Sequence, residues 1–205
     1  MADDHFWAFE RGTLWAREFD GTGDDVGGDV PPIIPSLSAR LNEARAAESG
    51  ALAVAMGLPD VAEVSRRLES GRRCFLAWVD GSIASYGWVS RGMERIGELE
   101  RSFRMSPDEV YIWDCATLPK YRGQHLYCAL LSHIVATLHH EGVHRLWIGA
   151  SLQNTPSIRA FATVGFRPVL TLTYLRLLGM RHVWVVGDAS APLELVTRAR
   201  WCLSA

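Results

Sequence analysis

The chain is 205 residues long, 48% hydrophobic and 21% charged, which is enough to bury a substantial core and too short for two ordinary domains, so a single domain over 1–205 is expected. Twenty-one basic residues against 23 acidic ones give a formal charge of −2, excluding the global positive field that nucleic acid or an anionic membrane requires while leaving room for a local phosphate site. No apolar run approaches the ~18 residues of a membrane-spanning helix, and MADDHFW lacks the basic-then-apolar order of a secretory leader, so a cytoplasmic protein is expected.

Residues 6–19 are rich in aromatics broken by Gly12 and predict an opening strand or a short hairpin. From 21 to 35, glycines, acids and three prolines predict a flexible loop. Ser36 is placed to cap a helix running to Met56, with Gly57 and Pro59 ending it, and a second helix covers about 60–70. From Arg73 the period becomes that of strands: 74–79, the turn pair Asp80-Gly81, then 82–90 form a hairpin. A polar stretch leads to Pro107, and 110–118 is a strand that Pro119 closes. The helix beyond carries Leu126, Leu130, Ile134 and Leu138 at i+4 spacing, and Gly142 caps it. A strand at 145–151, a short helix at 155–164 and strands at 168–178 and 182–186 follow, and Pro192 opens a last helix. The order βααβββαβαββ predicts an α/β (α+β) fold, a mixed, mostly antiparallel twisted sheet with helices on both faces.

The most informative stretch is Leu118-Pro119-Lys120-Tyr121-Arg122-Gly123-Gln124-His125-Leu126-Tyr127, where a strand stops, turns and becomes a helix. Free N–H groups at a helix start suit a pyrophosphate, Gly123 lets backbone approach an anion, and Arg122 adds donors. An ordinary helix turn with a solvated arginine shows the same residues. Asn154 precedes Thr155-Pro156-Ser157, a strong helix start, so plain N-capping accounts for it; a second role is to offer polar partners to a ligand arm between two strands. Asp114 lies inside the apolar run VYIWDCATL, where a carboxylate needs a partner. It serves either an internal ion pair with an arginine or a substrate amine. Alternation puts Glu109 and Tyr111 on one strand face and Asp114 on the other.

PKYRGQHLYCALL followed by NTPSIRAFATVGF resembles the two acetyl-CoA motifs of the GCN5-related N-acetyltransferase (GNAT) superfamily, and the element order over about 72–186 matches as well. The resemblance implies a pyrophosphate held by Arg122, Gly123, Gln124, His125, Leu126 and Tyr127, and a pantetheine arm along Ala116, Thr117 and Leu118 that also meets Asn154, Ser157 and Phe161. It implies a strand amide near Leu118 that polarises the acyl carbonyl. There are three departures from the pattern, at four positions. His125 and Tyr127 replace small residues, Phe161 replaces the tyrosine that protonates the departing thiolate, and Tyr111 stands where some relatives hold a glutamate base. With the usual base and acid absent, Asp114 and Tyr111 are the expected catalytic residues.

His139 and His140 project about 100° apart on a helix and lack a carboxylate at their spacing, so no metal is expected. Cys74, Cys115, Cys128 and Cys202 have no C-x-x-C spacing and are expected to be reduced core thiols. Neither G-x-S-x-G nor a common nucleotide-binding loop occurs. The expected function is N-acyl transfer from acetyl-CoA or another acyl-CoA to a small-molecule amine, in a protein free to form a homodimer. The alternative is a CoA-binding or interaction module with little or no turnover. Of the 21 basic residues only Lys120 is lysine, an arginine excess without a nucleic-acid pattern.

Overall fold

The computed structural model describes residues 7–19, 33–96, 101–177 and 180–204; most of the loop expected at 21–35 lies outside them. In chain order the elements are β1 (Trp7–Glu18), β2 (Arg40–Glu43), α1 (Ser49–Ala55), α2 (Ala62–Glu69), β3 (Arg73–Val79), β4 (Ser82–Ser90), β5 (Met93–Ile96) and β6 (Arg101–Arg104), followed by β7 (Glu109–Thr117), α3 (Leu126–His140), β8 (Arg145–Ser151), α4 (Thr155–Thr163), β9 (Arg167–Leu177), β10 (Met180–Gly187) and α5 (Leu193–Cys202). Eight strands form one sheet in the order β10-β9-β1-β8-β7-β4-β3-β2, and β5 and β6 form a separate hairpin. Every neighbouring pair in the large sheet is antiparallel except β7 with β8.

Alternation along the strands assigns each side chain to a face. On β3, Phe75 packs with Leu130, Ile134 and Leu138 of α3 and Ala160 and Phe161 of α4, whereas Cys74 and Leu76 pack with Leu52 and Ala53 of α1 and Val64 of α2. At the other end of that second face, Tyr111 of β7 and Trp147 of β8 share a cluster with Phe103 of β6 and Leu195, Val196 and Ala199 of α5. The fold is therefore a mixed α/β sheet, mostly antiparallel, with helices on both faces.

One open expectation is decided and three are corrected. Of the strand and hairpin readings of the opening segment, β1 is the strand: Gly12 is opposite Ser151 on one side and Leu172 on the other, and two partners hold it extended despite its freedom. The first correction is to the helix expected from Ser36, which begins only at Ser49. Residues 40–43 instead add a strand to the open edge of β3, with Leu41 packed on the core and Arg40 over Trp78 at 5.0 Å, so sheet pairing overrides helix propensity. Second, the polar stretch before Pro107 holds the β5–β6 hairpin, pinned by the fully buried Phe103. Third, Pro119 is followed by a single 3-10 turn, Pro119–Tyr121, and α3 starts later, at Leu126.

The arginines staple these elements. Arg73 of β3 forks onto Glu43 of β2 and Glu141 beyond α3, and Arg72 binds Glu94 of β5. Arg17 donates to the Val164 carbonyl at the end of α4. The planar guanidinium grips carboxylates with two parallel bonds, which one lysine ammonium cannot do. His139 of α3 stacks on Phe19 at 4.1 Å, a packing role. Among the described residues no helix is long and apolar enough to cross a membrane.

Candidate active site

The parallel strands β7 and β8 pair only from Glu109/Arg145 to Ile112/Ile148. Beyond that point β7 runs on to Thr117 against β4, and β8 runs on to Ser151 against β1. The facing edges diverge, so their backbone N–H and C=O groups look into a slot instead of at each other. The cause is a bulge: Tyr86 and Trp88 of β4 oppose Ala116 and Trp113 of β7, and Asp114 takes φ +41°. One extra residue on β7 bends it away from β8.

On the face opposite α3, the slot opens into a cleft of about 440 Å³. Its walls include Tyr111, Trp113 and Asp114 from β7, Gly149 and Ser151 from β8, Glu10 and Gly12 from β1, Ile96 and Arg95 from β5, and Leu172 from β9. Asp114 thus lines the same cleft as Tyr111, contrary to strict alternation, because the bulge resets the side-chain period. Its Oδ2 accepts from Arg67 Nη1, the internal ion pair weighed above, while its side chain remains 32% exposed. Arg67 also stacks on Trp113 at 4.7 Å. The indole Nε1–H of Trp113 donates to Ser90 Oγ (2.7 Å), whose hydroxyl donates to Glu94 Oε2 (2.5 Å), so the wall is held by a buried network. The Tyr111 ring packs on Phe103 with centroids 5.0 Å apart, and a Cβ at Gly149 would sit 3.5 Å from the Tyr111 hydroxyl, which places that hydroxyl across the base of the slot.

Glu109 is absent from the cleft lining. It is 1% exposed and accepts from Arg198 Nε (2.9 Å) and Nη2 (2.7 Å), from the Ser106 N–H (3.1 Å) and from Arg145. Burial pushes its carboxyl up, but those donors together outweigh burial and hold it below the usual carboxylate range.

On the α3 face, residues 122–125 turn in front of the helix. Gly123 has φ +77° and His125, the residue before α3, has φ +58° with no side-chain cap on the helix. Alternating backbone handedness and an uncapped helix start make a concave row of N–H donors suited to phosphate oxygens. Arg122, exposed, is anchored by its Nε–H to Thr117 O (3.2 Å), and Ser36 N–H donates to Gln124 O (3.1 Å). A Cβ on Gly123 would meet nothing within 4 Å, so positive φ and not protein crowding calls for glycine there. If this mouth holds the phosphates of CoA, as the sequence resemblance implies, Gly123→Asp places an anion against them, and calorimetry should show CoA affinity falling about tenfold, equivalent to about 1.4 kcal/mol.

The family model described as Acetyltransferase (GNAT) family matches residues 48–166 of this chain. The chain belongs to the GNAT acetyltransferase family. An uncharacterised N-acetyltransferase of Mycobacterium tuberculosis is 31% identical over 122 residues, 59% of this chain and 69% of the relative. Among solved structures, a GCN5-related N-acetyltransferase from Sphaerobacter thermophilus aligns with a TM-score of 0.56 at 15% identity, covering 86% of this chain and 53% of that one. The ribosomal-protein-S18-alanine N-acetyltransferase of Escherichia coli aligns at 0.52 and 15% identity, covering 76% and 97%. These two likenesses are of fold.

Within this GNAT fold the expected site residues divide. Arg122, Gly123, Gln124 and His125 form the loop at the start of α3, whereas the Leu126 side chain is buried in a core cluster with Ala77, Val79 and Ala84. Leu118 N–H itself donates to Ala84 O (2.9 Å), so a carbonyl-polarising amide in this region would come from a neighbouring residue. Ala116 O and Thr117 Oγ1 are likewise engaged by Ser85. Asn154 caps α4, its Oδ1 accepting from Ser157 N–H (3.3 Å). Phe161, expected at the ligand arm, is instead a core side chain, 1% exposed, edge-on to Trp15 at 6.0 Å. Tyr127 points inward, its hydroxyl reaching Cys115 and Ser157. Burial drives the Cys115 thiol up to about 12, which removes it as a nucleophile. Motif reading missed Glu10, Gly149, Ser151 and Leu172, which come from strands without a motif and meet only through sheet order.

Proposed function

We propose that this chain is an acyl-CoA-dependent N-acyltransferase, most simply an acetyltransferase, acting on a small-molecule amine within a ternary complex. The observation that carries this reading is the slot between β7 and β8, with an anion-suited loop on its α3 side and an acid-bearing cleft on its other side. The 122–125 loop would take the pyrophosphate, and the open strand edges would pair with the amides of the pantetheine arm. Bound acyl-CoA would supply the thioester whose carbonyl the amine attacks, with CoA leaving as the thiolate.

The bulge at Asp114 and Cys115 leaves backbone outside the β4 ladder, offering N–H groups to charge that develops on the carbonyl oxygen, the role expected of an amide nearer Leu118. Asp114 attracts the substrate ammonium and takes the proton it loses before attack, and Tyr111 holds a hydroxyl at the base of the slot for the reacting atoms. A thiol with pKa of ~8.5 departs as thiolate without a dedicated acid, so Phe161 is tolerated. One observation favours the reading without turnover, the engagement of Asp114 by Arg67.

Titration of the full chain with acetyl-CoA and with CoA is the first test. One site per chain is expected for both. Absence of heat and of thermal stabilisation at millimolar ligand would remove the basis of the proposal.

A further inference from the structure

Tyr127 lies in the first turn of α3, immediately after the 122–125 loop. Its hydroxyl reaches Cys115, on the arm of β7 beyond the last residue paired with β8, and Ser157, in the first turn of α4, which follows the arm of β8. The side chain packs against the core cluster beneath α3 and α4. One tyrosine thus bridges the β7 arm and the helix that follows the β8 arm, on the α3 face where an extended ligand would have to lie. Cys115 packs against the core cluster that includes Ile134 of α3, and Gly87 of β4 lies beside its thiol, since a Cβ added at Gly87 would be 2.9 Å from its Sγ. None of the residues lining the 440 Å³ cleft comes from α3 or α4, so that opening is on the other face.

We propose that Tyr127 gates the acyl-donor site: its ring closes the α3 side of the slot between β7 and β8, and a pantetheine arm enters only when the ring swings out. This deepens the acyl-CoA reading and rests on it. Helical side chains have two accessible χ1 wells, near 180° and −60°, so a swing needs no change in the helix. Its cost is the loss of the buried contacts to Cys115 and Ser157. Apparent affinity for a ligand that needs the open state is reduced by the fraction of chains that are open. The loop itself faces outward, with Arg122, Gly123 and His125 exposed, so a ligand made only of the nucleotide and its phosphates has no need of the swing.

The test compares CoA with adenosine 3′,5′-bisphosphate, which lacks the arm, by calorimetry on the full chain and on Tyr127→Ala and Tyr127→Phe, each first shown to be folded by thermal denaturation. Tyr127→Ala should bind CoA at least about tenfold tighter than the natural chain, as expected if at most a tenth of chains are open, while the bisphosphate binds all three alike. Tyr127→Phe keeps the ring volume and loses the hydroxyl contacts, so it should gain CoA affinity by a smaller factor, and it serves if the alanine variant does not fold. CoA binding no tighter in either folded variant overturns the gate and leaves the acyl-CoA reading intact. Equal tightening of CoA and the bisphosphate also overturns it, by moving the effect to the loop. No binding of either ligand by any form overturns both.

Discussion

Replacing Asp114 with asparagine should lower turnover about a hundredfold, the lower end of what a positioned proton acceptor contributes, and leave CoA affinity unchanged. The substitution is unusually clean. Asp114 holds φ +41°, a region that asparagine tolerates better than other residues without a carboxylate, so the bulge survives and only the charge is lost. Arg67 keeps Glu63 as a partner and so stays in place over Trp113. In the proposed arrangement donor binding depends on the loop and strand edges of the opposite face, which the loss of the Asp114 charge does not touch. Steady-state kinetics with a responsive amine, paired with CoA calorimetry, check both halves. Equal turnover would retire Asp114 and leave Glu10, on the β1 wall, as the remaining cleft carboxylate.

Glu109→Gln should destabilise the chain by about 3–5 kcal/mol at pH 7, because it removes one partner of a buried ion network and leaves Arg145 and Arg198 facing each other without their shared anion. For a chain of this size that is roughly a 10 °C fall in Tm. The loss reaches function indirectly, since Glu109 fixes the start of β7, Arg145 at the start of β8 and Arg198 of α5 around the base of the slot. The pH dependence has a definite sign. The folded carboxyl is held below its ordinary value of 4.5, so its stabilisation is fully present above 4.5 and is lost as pH falls through the folded value. Denaturant unfolding of both forms between pH 7 and pH 3 should therefore show their difference shrinking below about 4.5. A constant difference would assign the effect to packing alone.

How far the sequence carried these conclusions depends on whether a residue's role is local. Asp80-Gly81 forces a turn whatever surrounds it, and the β3–β4 hairpin was legible. Asn154 caps its own helix, and the apolar stripe of α3 is set by its own period. Residues 40–43 look helical until the open edge of β3 is available to pair with them. The bulge was hidden for the same reason: nothing in VYIWDCATL says that Asp114 adopts a left-handed backbone, so strict alternation put it on the wrong face. The cleft was the least legible feature. β1 enters the sheet between β8 and β9, more than 100 residues away in the chain, and brings Glu10 and Gly12 beside Gly149 and Leu172. The arginine excess likewise gained a purpose only in three dimensions, as Arg67, Arg72, Arg73, Arg145 and Arg198 proved to be inter-element clamps.

The central claim is acyl transfer to an amine across the β7–β8 slot. The most direct measurement is release of free CoA thiol from acetyl-CoA, followed with a thiol-reactive dye over a broad panel of small primary amines, with the natural chain and Tyr127→Ala side by side. At least one amine should raise thiol release above the rate without amine, with one amide formed per thiol. Saturable CoA binding with no amine-dependent thiol release in either form would contradict the claim and leave a CoA-binding module.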